Sequence, residues 1–253
     1  MSTLGFCHHC FIGVRHEGNP SGTFTTINGV NVYIATPSGE FNKEKVLLYF
    51  PDVFGLELPN HQLQADDFAL NGIRTVVVDY FGGDPLPADA MDPGSTYDFF
   101  TWLKRHLPPS TKHDIVQKVI DGLKAEGVKR FATTGYCFGA RIGFDFALKG
   151  ETHVTTVSHP TLIENLELLE KYITTSAPLL INCCEVDQQF PAEAQAKADE
   201  IFGGGKFAPG YERTYWPGCV HGFAVRGDMS DPKVKAGKEG AFKTTVEFVY
   251  KYL

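Results

Sequence analysis

Short, almost uninterrupted apolar runs recur along this chain, separated by longer segments of helical periodicity. Val46-Leu47-Leu48-Tyr49-Phe50 and Thr75-Val76-Val77-Val78 present no polar face. A strand of that kind must be covered on both sides, as the strands of parallel sheets are. Strands are expected at residues 45–50, 73–79, 130–134, 153–158, 178–184 and 211–216. Helices are expected at 59–71, 95–106, 112–126, 138–149, 164–172, 191–202 and 232–253. Their alternation predicts a doubly wound α/β architecture, a mostly parallel sheet with helices on both faces. Ahead of it, Thr23–Ile27 and Val30–Ala35 flank Asn28-Gly29, a strong hairpin-turn signal, so an N-terminal β-hairpin is expected. Residues 1–21 show no period and read as an irregular arm. With no repeat, linker or break in composition, residues 1–253 are expected to form a single domain.

Charge narrows the range of partners. The net charge is −7 and no Lys/Arg run forms a basic stripe, which argues against a nucleic-acid partner. No apolar stretch approaches the roughly 20 residues needed to span a bilayer, so no membrane association is expected. Met1-Ser2-Thr3-Leu4-Gly5-Phe6 lacks the charged and apolar regions of a signal peptide. Six cysteines in a chain of this length fit a reducing compartment better than a disulfide scaffold. A cytoplasmic protein is the expectation. A homodimer is one assembly compatible with the sequence, which does not fix the oligomeric state.

The chemistry concentrates at Gly135-Tyr136-Cys137-Phe138-Gly139. This is a G-x-C-x-G pattern between a strand and a helix, a nucleophile elbow with cysteine in place of the usual serine. The turn demands strained backbone at the nucleophile, and side chains two positions away would collide with neighbouring chain. The helix N-terminus beyond Cys137 favours thiolate. In open parallel sheets, ligands bind beyond the carboxyl ends of the strands. Asp187 follows the strand at 178–184 and His221 follows the strand at 211–216. Nucleophile, acid, histidine is the α/β-hydrolase order. His221 would take the thiol proton and Asp187 would hold the other imidazole nitrogen. Asp187 is favoured over Glu185 because it lies further past the strand. An oxyanion hole would use the backbone N–H groups of Phe138 and Val53.

Four segments then carry a resemblance: Pro51-Asp52-Val53-Phe54-Gly55, Val78-Asp79-Tyr80-Phe81-Gly82-Gly83, Gly135 to Arg141, and His221-Gly222-Phe223-Ala224-Val225-Arg226. The chain resembles the dienelactone hydrolase family of α/β-hydrolases, particularly its eukaryotic and fungal-type members. The resemblance implies an α/β-hydrolase fold, a Cys137-His221-Asp187 triad, a small ester or lactone substrate, and neither metal nor organic cofactor. It also implies that Asp52 stands where bacterial members carry a glutamate that contacts the resting thiol. Those members grip a carboxylate with two arginines. One has no counterpart in Asp79-Tyr80-Phe81-Gly82-Gly83-Asp84, and Arg226 stands near the other. A neutral or larger ester or lactone is therefore expected, with Tyr80 and Phe81 as apolar walls and His159 lining the pocket. Acyl transfer, lactone formation or isomerisation in a biosynthetic pathway, and a low-turnover binding module, are the alternative functions. Arg141 is read as the partner of a buried carboxylate.

Other signals carry less. Cys7-His8-His9-Cys10 has a metal-like spacing, but adjacent histidines between the cysteines do not readily converge on one tetrahedral ion. Lys233, Lys235, Lys238, Glu239 and Lys243 are expected to form a solvated face of the last helix, opposite Val234, Phe242, Val246, Phe248 and Val249.

Overall fold

A computed structural model describes residues 14–15, 17–163 and 166–253. Its elements run β1 (Thr23–Ile27), β2 (Val30–Ala35), β3 (Lys45–Phe50), α1 (Pro59–Leu70), β4 (Thr75–Val78), α2 (Phe99–His106) and α3 (His113–Ala125). They continue with β5 (Arg130–Tyr136), α4 (Phe138–Leu148), β6 (Val154–Ser158), α5 (Leu166–Tyr172), β7 (Leu179–Val186), α6 (Ala192–Phe202), β8 (Tyr211–Val220) and α7 (Pro232–Tyr252). One eight-stranded sheet has the order β1-β2-β4-β3-β5-β6-β7-β8. The first two pairings are antiparallel and the remaining ones parallel. This is the doubly wound α/β fold expected, hairpin included. Asn28 and Gly29 both take positive φ, 48° and 79°, as a two-residue hairpin turn of the right twist requires.

The apolar runs behave as two-sided strands. On β3, Leu47 and Tyr49 face Phe68 of α1 and Phe242 and Val246 of α7. The alternate residues Val46, Leu48 and Phe50 face the opposite layer, with Trp102 of α2, Ile120 of α3 and Ile142 and Phe146 of α4. Beside it, Phe144, Leu169, Tyr172, Ile181 and Phe202 join α4, α5 and α6 to β7. Burying side chains of this kind contributes roughly 1.5–3 kcal/mol each, so the sheet is held from both faces.

Several elements differ from the periodic reading. Helix α2 starts at Phe99, four residues later than expected, because the Asp98 carboxylate caps it by accepting from the Thr101 N–H at 3.0 Å. Strand β8 continues four residues past Trp216, through Pro217 and Gly218, and pairs Val220 with Val186 across an irregularity in β7. Helix α1 has almost no amphipathicity that a sequence pattern would reveal, since His61, Gln62, Gln64, Asp66 and Asp67 are all buried. Each acid there has partners: Tyr33 Oη donates to Asp66 Oδ1 at 2.7 Å, and Arg15 Nε to Asp67 Oδ1 at 2.6 Å.

The last helix corrects one expectation. Lys233, Lys235 and Lys243 are exposed, but Lys238 is only 4% exposed. Lys238 lies four residues before Phe242, on the stripe that meets α1 through the Phe68–Phe242 contact at 4.6 Å. Burial lowers its pKa, and attraction to Asp67 opposes that shift. No helix among the described residues is long and apolar enough to cross a membrane.

A buried ammonium whose pKa is lowered costs stability while it is protonated. Lys238→Met is therefore expected to raise the thermal unfolding midpoint at pH 7, by the equivalent of about 1 kcal/mol. The gain should shrink as the pH rises toward 10.5, the ordinary lysine value, where the cost to the wild type disappears.

Candidate active site

Strands β5, β6, β7 and β8 are parallel neighbours, so the loops leaving their carboxyl ends converge. Cys137 occupies the single residue between β5 and α4, with φ 51° and ψ −116°. A non-glycine residue in that region is strained by about 1–3 kcal/mol and persists only where its surroundings enforce it. The two flanking glycines show how. A Cβ on Gly139 would lie 2.2 Å from the Phe50 carbonyl oxygen and 2.6 Å from that of Pro51. One on Gly135 would lie 2.5 Å from the Gly139 oxygen. The elbow helix is thus pressed against the end of β3 with no room for a methyl group.

The three side chains singled out by chain order come together. The Cys137 sulfur lies close enough to His221 to favour the protonated imidazole. Nδ1 of His221 lies 2.9 Å from Asp187 Oδ1 and 3.0 Å from Oδ2. The His221 N–H donates to the Val186 carbonyl at 3.2 Å, which seats the histidine loop beside the end of β7. Asp187 is buried and also accepts from the N–H groups of Gln189 at 2.8 Å and Phe190 at 3.2 Å. Glu185 points elsewhere and accepts from the Gly218 N–H. Burial opposes protonation of His221, but Asp187 and the Cys137 sulfur outweigh it and push the imidazole up to about 10.

The loop after β3 is fixed from three sides. Asp52 accepts from the Phe54 N–H at 3.0 Å, the Asp52 carbonyl from Gly55, and the Val53 carbonyl from Leu86. Among the described residues, neither the Val53 N–H nor the Phe138 N–H is spent on a protein acceptor. Phe138 opens α4, where the first N–H groups have no partner within the helix. Both are free to meet an oxyanion.

The residues expected along the substrate wall sit deeper than that. Asp52 is wholly buried; His61 Nε2 lies 2.9 Å from its Oδ1, and Arg226 Nη2 lies 3.1 Å from its Oδ2. Burial works against its charge, but His61 and Arg226 hold the carboxyl well below the usual range. Tyr80 is buried because its hydroxyl finds the Pro51 carbonyl at 2.5 Å and its ring stacks on Phe138. Phe81 is buried against Trp102, His106 and Phe138. His159 is 0% exposed and packs edge-on against His221 at 5.0 Å. Burial lowers its pKa well below the ordinary value. Asp52, Tyr80, Phe81 and His159 therefore back the site rather than line an open cleft. Arg226 reaches the surface, with its guanidinium 4.1 Å above the Phe54 ring. Arg141 donates to Asp145 at 2.8 Å and to the Leu162 carbonyl at 3.0 Å.

Two neighbours carried no sequence signal. Thr161 Oγ1 lies 3.3 Å from the Cys137 sulfur, and His61 joins Asp52 to the Tyr49 hydroxyl at 2.8 Å. The one clue to Thr161 is its place just past β6, the strand beside the elbow. Among the described residues, no cluster of three or more His, Cys, Asp or Glu side chains could hold a metal ion. Cys7-His8-His9-Cys10 lies outside the described residues. A cavity of about 270 Å³ opens beside the hairpin, lined by Phe24, Asn31, Leu56, Asp79 and Pro85, away from Cys137.

Comparison with known proteins shows what the chain is similar to. The family model described as "Dienelactone hydrolase family" matches residues 30–253. "Hydrolase pyvD" of Aspergillus violaceofuscus is 31% identical over 253 residues, covering 100% of this chain and 99% of its own. "Dienlactone hydrolase 1" of Gibberella moniliformis is 32% identical over 248 residues, covering 95% of this chain and 91% of its own. A crystal structure of a putative dienelactone hydrolase from Klebsiella pneumoniae superposes with a TM-score of 0.73 at 15% identity, covering 92% of this chain and 99% of that one. The fold is shared.

Gly139→Ala is expected to destabilise the protein by about 3 kcal/mol or lose the elbow geometry, because the new methyl meets rigid carbonyls. Urea unfolding measures it. His221 offers a second check. Its value in the fold, about 10, lies above the ordinary 6.5. The stability that it contributes is full below pH 6.5 and is lost as the pH rises through about 10. The unfolding free-energy gap between wild type and His221→Gln should therefore close over that interval.

Proposed function

This chain belongs to the dienelactone hydrolase family and is a hydrolase, and we propose that it cleaves a carboxylic ester or lactone through a thioester on Cys137. The observation that carries the proposal is a strained Cys137 whose sulfur meets His221, with Asp187 behind the imidazole. With His221 protonated at Nε2 near neutral pH, Cys137 rests as the thiolate of an ion pair, and the sulfur attacks the carbonyl carbon. The carbonyl oxygen takes the displaced electron pair and is held by the N–H groups of Phe138 and Val53. Collapse breaks the bond to the alkoxide, which leaves with the proton from His221. Water then gives a proton to His221, attacks the thioester and frees the acid, which restores the thiolate–imidazolium pair.

The charge around the site favours a neutral acyl group. Arg226 is already paired with Asp52 and stacked on Phe54. The loop after β4 carries Asp79 and Asp84 and no arginine. A carboxylate on the substrate would have to draw Arg226 away from a buried anion, which costs more than an exposed contact returns.

Intact-mass spectrometry of enzyme quenched during turnover of an activated ester is expected to show one acyl adduct, absent from Cys137→Ala. An adduct that persists in that variant rules out the thioester. His221→Ala should lower kcat/KM by about 10³-fold or more. Wild-type turnover no faster than that of His221→Ala would leave only a binding role for the fold.

A further inference from the structure

The loop between β6 and α5 is strained without glycine. His159 and Leu162 both have positive φ, 38° and 64°. Two side-chain-bearing residues in the left-handed region within four positions persist only where the surroundings impose them. The His159 N–H is held by the Asn182 carbonyl of β7 at 2.9 Å, and the restraints around Thr161 run to the elbow. The Cys137 N–H donates to the Ser158 carbonyl at 3.3 Å, and the Thr161 N–H donates to the Cys137 carbonyl at 3.1 Å. Arg141, one turn into α4, holds the Leu162 carbonyl. Arg141 is itself set by Asp145, which His113 of α3 contacts at 2.9 Å. Residues on both sides of Thr161 are thereby tied to the nucleophile's own backbone and helix. Its hydroxyl ends 3.3 Å from the Cys137 sulfur.

We propose that Thr161 is a catalytic residue whose hydroxyl donates a hydrogen bond to the Cys137 thiolate and so makes the thiol more acidic. The proposal rests on Cys137 being the nucleophile. In the neutral thiol either partner donates. Once the S–H proton has moved to His221 Nε2, the sulfur keeps the electron pair and only the hydroxyl has a proton to give. A hydrogen bond to an ionised acceptor is about twice as strong as a neutral one, so it favours the charged form. When the sulfur bonds to the substrate carbon, that pair enters the S–C bond and the thioester sulfur becomes a weak acceptor. The hydroxyl is then released. The other titratable groups facing the sulfur are His221, with Asp187 behind it, and Tyr80, with Asp52 beyond. None is altered by a substitution at Thr161.

The test is the rate of iodoacetamide alkylation of the Cys137 peptide, followed by mass spectrometry between pH 5 and 10. It uses wild type, Thr161→Val and Thr161→Ser. Thr161→Val keeps the shape and removes the donor. It is expected to raise the apparent thiol pKa by about one unit, a tenfold loss of thiolate relative to thiol. It should also lower kcat on an activated ester several-fold. Thr161→Ser, which keeps the hydroxyl, should match the wild type. An unchanged pKa in Thr161→Val overturns the proposal, as does an equal shift in Thr161→Ser. If Thr161→Val does not fold, Thr161→Ala gives the same reading. Full turnover by Cys137→Ala would defeat the nucleophile assignment instead, and the alkylation profile would still decide whether the hydroxyl acidifies the thiol.

Discussion

The contact between the elbow helix and the end of β3 sets the rest of the site. Gly139 lies against the carbonyls of Phe50 and Pro51, where a single Cβ would overlap both. That approach fixes the start of α4 and holds Cys137 in an unfavourable backbone conformation. One packing constraint thus sets the Cys137 sulfur and the start of α4 beside the loop after β3. The strain at Cys137 is small beside the apolar burial of the two layers that hold β3 and β5, so the fold can sustain it.

A buried polar network makes the β3 loop rigid. Asp52 is held by His61 on one oxygen and Arg226 on the other. The Tyr49 hydroxyl contacts His61 Nδ1 and donates to Gln64, and Gln64 donates to the Ala224 carbonyl. Asn60 donates to the Val225 carbonyl. Helix α1 is therefore a polar strut between the loop after β3 and the histidine-bearing loop after β8. Its buried polar side chains are tolerable because they find partners, and an unmatched member would cost about 1–3 kcal/mol. The same strut leaves Arg226 on the rim with its charge largely committed. This connects the fold's interior to the proposed preference for uncharged substrates.

Legibility differed by kind of signal. Local periodicity and turn chemistry identified β1, β2 and β3 to the residue, because apolar runs and Asn28-Gly29 are short-range facts. Chain order singled out Cys137, Asp187 and His221, because a parallel sheet leaves reactive loops at one end. Helix α1 was read as a helix, but its burial was not legible, since its polar side chains are satisfied by residues such as Tyr33, Tyr49 and Arg15. Lys238 was misread for a related reason. Helical spacing says which residues share a stripe but not how wide a stripe a neighbouring helix will cover.

The amino-acid sequence alone determined the doubly wound architecture, the elbow and the order of its three reactive groups. Each follows from spacing along the chain and from what glycine, Asn-Gly and two-sided apolar strands can adopt. Tertiary structure alone decided that Tyr80, Phe81 and His159 support the site from beneath, that Arg226 is bound to Asp52, and that Thr161 meets the sulfur. The last two of those contacts join residues 174 and 24 positions apart. They depend on which loop ends the sheet brings together, a quantity that no local pattern encodes.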